Sequence, residues 1–91
     1  MVDITAVQMV TGGTGHEHIQ AVRWRSPDTA KAGDSTRQEM VSWLTAGQAN
    51  RAFVVVGKLR VEVFAVKATP AYIRTWADGI WRDNLLALPR Y

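Results

Sequence analysis

The 91-residue sequence contains no cysteine. This excludes a disulfide framework, a thiolate nucleophile and zinc sites built on cysteine pairs, and it suits a reducing compartment. Long hydrophobic runs are also missing. The longest, Ala52 to Val56, falls far short of the ~20 residues that span a bilayer as a helix, so no membrane association is expected. The opening MVDITAVQMV lacks the basic start and extended apolar stretch of a signal peptide, which makes a cytoplasmic protein the expectation. Internal repeats, low-complexity tracts and long linkers are absent, and residues 1–91 read as a single domain. Isoleucine and asparagine are scarce, and arginine outnumbers lysine eight to three, as in products of GC-rich genomes.

What is present is ordinary for a folded domain: 47% apolar and 21% charged residues. A chain of this length buries only somewhat more than ~60% of its unfolded surface, so it has one core. The net charge of +3 is uneven. Residues 1–45 carry four Lys/Arg against five Asp/Glu, and residues 46–91 carry seven against three. The basic half, with Arg51, Lys58, Arg60, Lys67, Arg74 and Arg82, can attract nucleic acid, although Glu62, Asp78 and Asp83 interrupt it.

VDITAVQMV and IQAVRWRS have strand composition and flank the glycine-rich TGGTGHEH, which suggests a hairpin. The second strand sets Val22 and Trp24 on one face and Arg23 and Arg25 on the other. PDTAKAGDS reads as a loop. Ser35 and Gln38 fit a capping box for a helix at about 36–47, with Met40, Val41 and Leu44 on its apolar face, Trp43 at the edge and Gly47 as its stop. In RAFVVVGKLRVEVFAVK, a two-residue turn at Gly57-Lys58 places Ala52, Val54, Val56, Leu59, Val61 and Val63 on one side of a β-ribbon. That all-apolar side is expected to face the helix. The other side mixes Phe53, Val55, Phe64 and Val66 with Arg51, Arg60 and Glu62, too apolar to stand wet and too polar for a deep core. Either the chain's own tail or a partner covers it.

The last twenty residues hold two of the four tryptophans and three leucines. YIRTW reads as a last strand and Asp78-Gly79 as a turn, and Trp81, Leu85 and Leu88 share one face of a short helical segment that Asp83 can cap and Pro89 ends. The fold class expected is therefore α+β: a mainly antiparallel sheet of four to five strands, ordered β-β-α-β-β-β, packed on one amphipathic helix. A strand-turn-short helix segment at the C-terminus docks on the sheet.

YIRTWADGIWRDNLLALP resembles the C-terminal signature of the domain of unknown function 3892 family of small bacterial and phage proteins. That signature runs Tyr-hydrophobic-Arg-Thr, a short turn, Asp-Asn-Leu and Leu-Pro, here at Tyr72, Ile73, Arg74, Thr75, Asp83, Asn84, Leu85, Leu88 and Pro89. The resemblance implies a small α+β domain and supplies no chemistry. Among the signature residues, Arg74, Thr75, Asp83 and Asn84 either fix a turn, with Arg74 pairing Asp83, or form a polar site.

Catalytic motifs are missing. TGGTG lacks the Gly-Lys-Ser/Thr of a phosphate loop and the strand–helix setting of a dinucleotide loop. No serine has a His and Asp set, and the carboxylates are scattered. His16 and His18 share a face if the segment is extended, but two ligands are too few for a metal, and a solvated loop pair is the expectation. The sequence thus points to a non-catalytic interaction module without metal or cofactor, contacting a protein partner or a second copy through Phe53, Val55, Arg60 and Phe64, with Trp24 or Trp43 nearby. The alternative is a nucleic-acid-binding protein using the basic half.

Overall fold

The architecture was taken from a computed structural model that describes residues 1–77, 79–82 and 84–91, with the backbone alone at 77 and 80–82. Strand β1 (Val2–Met9) leads through a 3-10 turn (His16–His18) into β2 (Ile19–Arg25) and β3 (Ala32–Thr36). Helix α1 (Arg37–Ala46) follows, then β4 (Ala52–Val56), β5 (Leu59–Val66), β6 (Tyr72–Ala77) and β7 (Ile80–Arg82). The seven described strands form one sheet in the order β3-β2-β1-β4-β5-β6-β7. All pairings are antiparallel except β1 with β4, which is parallel and holds only at Val2–Ala52 and Asp3–Phe53. The α+β class and the single α-helix among the described residues agree with the sequence reading. The strand number does not, and the mainly antiparallel sheet contains one short parallel pairing.

The extra strands come from segments with weak β signals. Ala32–Thr36, read as loop up to Ser35, is built of turn-forming residues, yet its backbone pairs with β2 from Arg25–Ala32 to Ala21–Thr36. Pairing with a neighbour overrides local preference here. Ile80–Arg82, read as the start of a helical segment, instead pairs back on β6 across Gly79, whose φ is +74°. The helical character is confined to one turn at 84–88, where Ala87 N–H donates to Asn84 C=O and Leu88 N–H to Leu85 C=O. The expectation for Asp83 lies outside the described residues.

The helix starts one residue later than expected. Thr36 Oγ1 accepts from Glu39 N–H at 3.1 Å, and Glu39 Oε1 accepts from Thr36 N–H at 2.8 Å, a reciprocal capping box. Thr36 rather than Ser35 caps the helix, and Ser35 Oγ accepts the Trp24 indole N–H at 3.0 Å. Met40 is buried, and Val41, Trp43 and Leu44 pack against the core, while Gln38, Ser42 and Thr45 face solvent.

The β4–β5 register matches the sequence reading pair for pair: Ala52–Val63, Val54–Val61 and Val56–Leu59. Gly57 takes the positive φ of +61° that the tight turn demands. Only the inner part of the apolar side is buried, however. Val56 and Leu59 at the tip are 45% and 69% exposed. A ten-residue helix is about 15 Å long, whereas seven strands span nearly 30 Å at ~4.8 Å each. The helix reaches β2, β3, β5 and β6 because the sheet curls round it, and β6 meets the 3-10 turn that leads into β2. The hairpin tip projects beyond this cover.

The core joins Ile4, Val7, Ile19, Val22, Met40, Val54, Val63, Ile73 and Leu85. Leu85 is completely buried, so the tail is part of the fold. Beyond the short β1–β4 pairing, the free edge of β1 is taken by the tail. Val7 N–H donates to Pro89 C=O at 3.0 Å, and Tyr91 N–H donates to Val7 C=O at 3.2 Å. Arg90 Nη1 donates to Leu86 C=O, and Arg23, paired with Asp34, lies 4.2 Å over the Tyr91 ring. Among the described residues no helix is long and apolar enough to cross a membrane.

Candidate interaction surface

Strand alternation builds the outer face of β4–β5–β6 directly from the sequence. Phe53 pairs with Glu62 and Glu62 with Trp76, forming one row across three strands, while Phe64 pairs with Arg74 in the next. Val55 pairs with Arg60 toward the hairpin tip. The opposite alternation sends Val54, Val63, Ile73 and Thr75 inward, where all four are essentially buried.

The four residues assigned to the contact surface share this face but not the same environment. Phe53 is 9% exposed because two guanidinium groups cover it, with Arg60 4.5 Å and Arg51 5.2 Å from the ring centroid. Cation–π attraction and the aliphatic stems of the arginines favour this stacking. Each arginine is in turn held by a carboxylate. Arg60 Nη2 donates to Asp3 of β1, and Arg51 donates twice to Glu62, at 2.6 and 3.1 Å. The hydrogen bond and charge of Glu62 hold the Arg51 guanidinium above its ordinary value, so it stays cationic. Val55 and Phe64, by contrast, are 49% and 39% exposed.

Among the described residues, 84–91 leave Val55 and Phe64 exposed, so this part of the tail is not the cover that one of the two sequence expectations allowed. Leu85 enters the core that α1 also covers, and Leu88 lines a shallow cleft with Val55, Thr5 and Arg25. The reason is the gap beside β1: its unpaired backbone takes the tail as an added strand segment, drawing 84–91 away from the outer face.

Sequence reasoning missed Trp76, which is 38% exposed and lies diagonally from Phe64 on the same face. The alternation of Tyr72, Arg74 and Trp76 in YIRTW carried that signal. The described family-signature polar residues lie on β6 and in the turn that follows β7. Arg74 and Thr75 are successive strand residues pointing to opposite faces, Thr75 is fully buried, and Asn84 opens the turn at 84–88. Asp83, and with it the Arg74–Asp83 pair, falls outside the described residues.

The histidines also differ from expectation. His16 is buried rather than solvated, because the 3-10 turn packs against β6. His18 Nδ1 accepts backbone N–H groups from Thr14 and Gly15 at 3.1 and 3.0 Å, so the ring closes its own loop. Among the described residues, no three His, Cys, Asp or Glu side chains gather as metal ligands would.

The family model described as Protein of unknown function (DUF3892) matches residues 3–89. The chain belongs to this family. The DUF3892 match begins in β1 and ends at Pro89, and so takes in both partners of the β1–tail closure. No curated protein and no solved structure matches the chain.

Proposed function

We propose that this DUF3892 domain is a small non-catalytic interaction module whose outer β4–β5–β6 face binds a protein, either a different chain or a second copy of this one. The observation that carries the reading is the exposure of Val55, Phe64 and Trp76 on a single sheet face beside an arginine-capped Phe53. Exposed aromatic and aliphatic groups with fixed arginines are the composition of interface hot spots. Nucleic-acid binding by the basic half is less well supported. Arg51 and Arg60, two of its seven cations, are already paired with Glu62 and Asp3, which weakens the field available to phosphates.

The test is affinity capture from the native host, together with sedimentation of the pure protein, for wild type and Phe64→Asp. The expected result is a partner or dimer that survives salt several times physiological and is lost in Phe64→Asp. An association unchanged by Phe64→Asp refutes the reading. One abolished by salt, or by nuclease, favours nucleic acid instead.

A further inference from the structure

A second feature lies on the helix side of the sheet, independent of the outer face. Val2, Trp24, Ser35, Glu39, Met40 and Trp43 line a slot of about 350 Å³ where the start of α1 crosses β1 and β2. This volume is at the lower end of the ~300–1,000 Å³ range of small-molecule pockets. Two indoles and a methionine supply its walls.

One wall is fixed before any ligand arrives. The Trp24 indole N–H donates to Ser35 Oγ at 3.0 Å. The ring also packs on Gly33, its cross-strand partner, so closely that a Cβ there would lie 3.0 Å from Cζ2. Glycine at 33 therefore makes room for the ring, and the hydroxyl at 35 sets its angle. Glu39, likewise, is held by the capping box through Oε1.

Among the described residues, Glu39 is the one ionisable residue lining the slot. An apolar, aromatic-walled cavity with a single carboxylate attracts positive charge, through the π faces and through the anion. The cation's substituents are restricted as well. A primary ammonium has three N–H donors to satisfy; with Glu39 Oε1 already accepting from Thr36 N–H and Ser35 Oγ from Trp24, Glu39 Oε2 is the main acceptor left for them. An alkylated ammonium carries its charge without that demand and brings methyl groups that suit tryptophan and methionine walls.

We propose that the slot between Trp24 and Trp43 is a binding site for a quaternary ammonium group. The probe is choline, with 3,3-dimethylbutan-1-ol as its uncharged isostere and butylammonium as the primary amine. Binding is followed by the Trp24 and Trp43 indole N–H signals of ¹⁵N-labelled protein. Choline is expected to shift both saturably and to bind about tenfold more tightly than either comparison compound. Glu39→Gln keeps a capping acceptor and is expected to fold, as its amide spectrum will show. It should weaken choline about fivefold or more while leaving the alcohol unchanged. Equal binding of choline and the alcohol, tighter binding of butylammonium, or no saturable shift at the two indoles overturns the proposal.

Discussion

The N-terminus of α1 illustrates what individual residues reveal in advance. STRQE contains two overlapping capping boxes, Ser35 with Gln38 and Thr36 with Glu39, and local chemistry does not distinguish them. In the fold Thr36 is the cap, and the Ser35 hydroxyl accepts the indole N–H of Trp24, eleven residues away. Thr36→Ala should therefore cost about 1 kcal/mol in urea unfolding, and an unchanged midpoint would contradict the assignment. Tyr91 offers a test by pH. Its hydroxyl is buried without a hydrogen bond to the described residues. Burial, aided by the Asp34 charge and opposed by Arg23, raises the phenol above its ordinary value of 10.0. The folded state thus favours the neutral phenol. That contribution is fully present below about pH 10 and is lost as pH rises through the raised value. Tyr91→Phe should melt at or above the wild-type temperature near neutrality and lose less stability than wild type above pH 10, as thermal scans across that range will show.

At the scale of elements, legibility followed the strength of periodic signals. The β4–β5 register was readable because six apolar residues fall on one side only when Gly57-Lys58 forms the turn. β3 and β7 were not readable. The first is an AGDST segment made a strand by its neighbour, and the second has three residues and takes its identity from β6. The tail was read correctly as docked and buried, but where it docks was left open, because main-chain pairing with Val7 leaves no trace in side-chain pattern. Removing residues 84–91 deletes buried Leu85, whose burial alone is worth about 2–3 kcal/mol, and exposes the edge of β1. Such a truncation should lack a cooperative urea transition, and retention of the wild-type midpoint would show the tail to be dispensable.

For the whole molecule, the curl of the sheet divides the surface into two. The inner side is filled by α1 and Leu85, while the outer face of β4–β5–β6 keeps Val55, Phe64 and Trp76 exposed. The composition of that face was evident from alternation, but whether the tail covered it depended on where the tail docked, which required the topology. A side chain kept for contact rather than folding can be replaced at little cost. Phe64→Asp should shift unfolding free energy by no more than about 0.5–1 kcal/mol while abolishing association. Loss of several kcal/mol would instead make Phe64 a structural residue. Both the fold and the bare outer face require that the tail lie beside β1. Residue-resolved amide hydrogen exchange of the intact chain tests this most directly. The account predicts that the Val7 and Tyr91 amides, which donate to Pro89 and Val7, are protected together with those of the central strands. Exchange of both at the rate of an open peptide would contradict it.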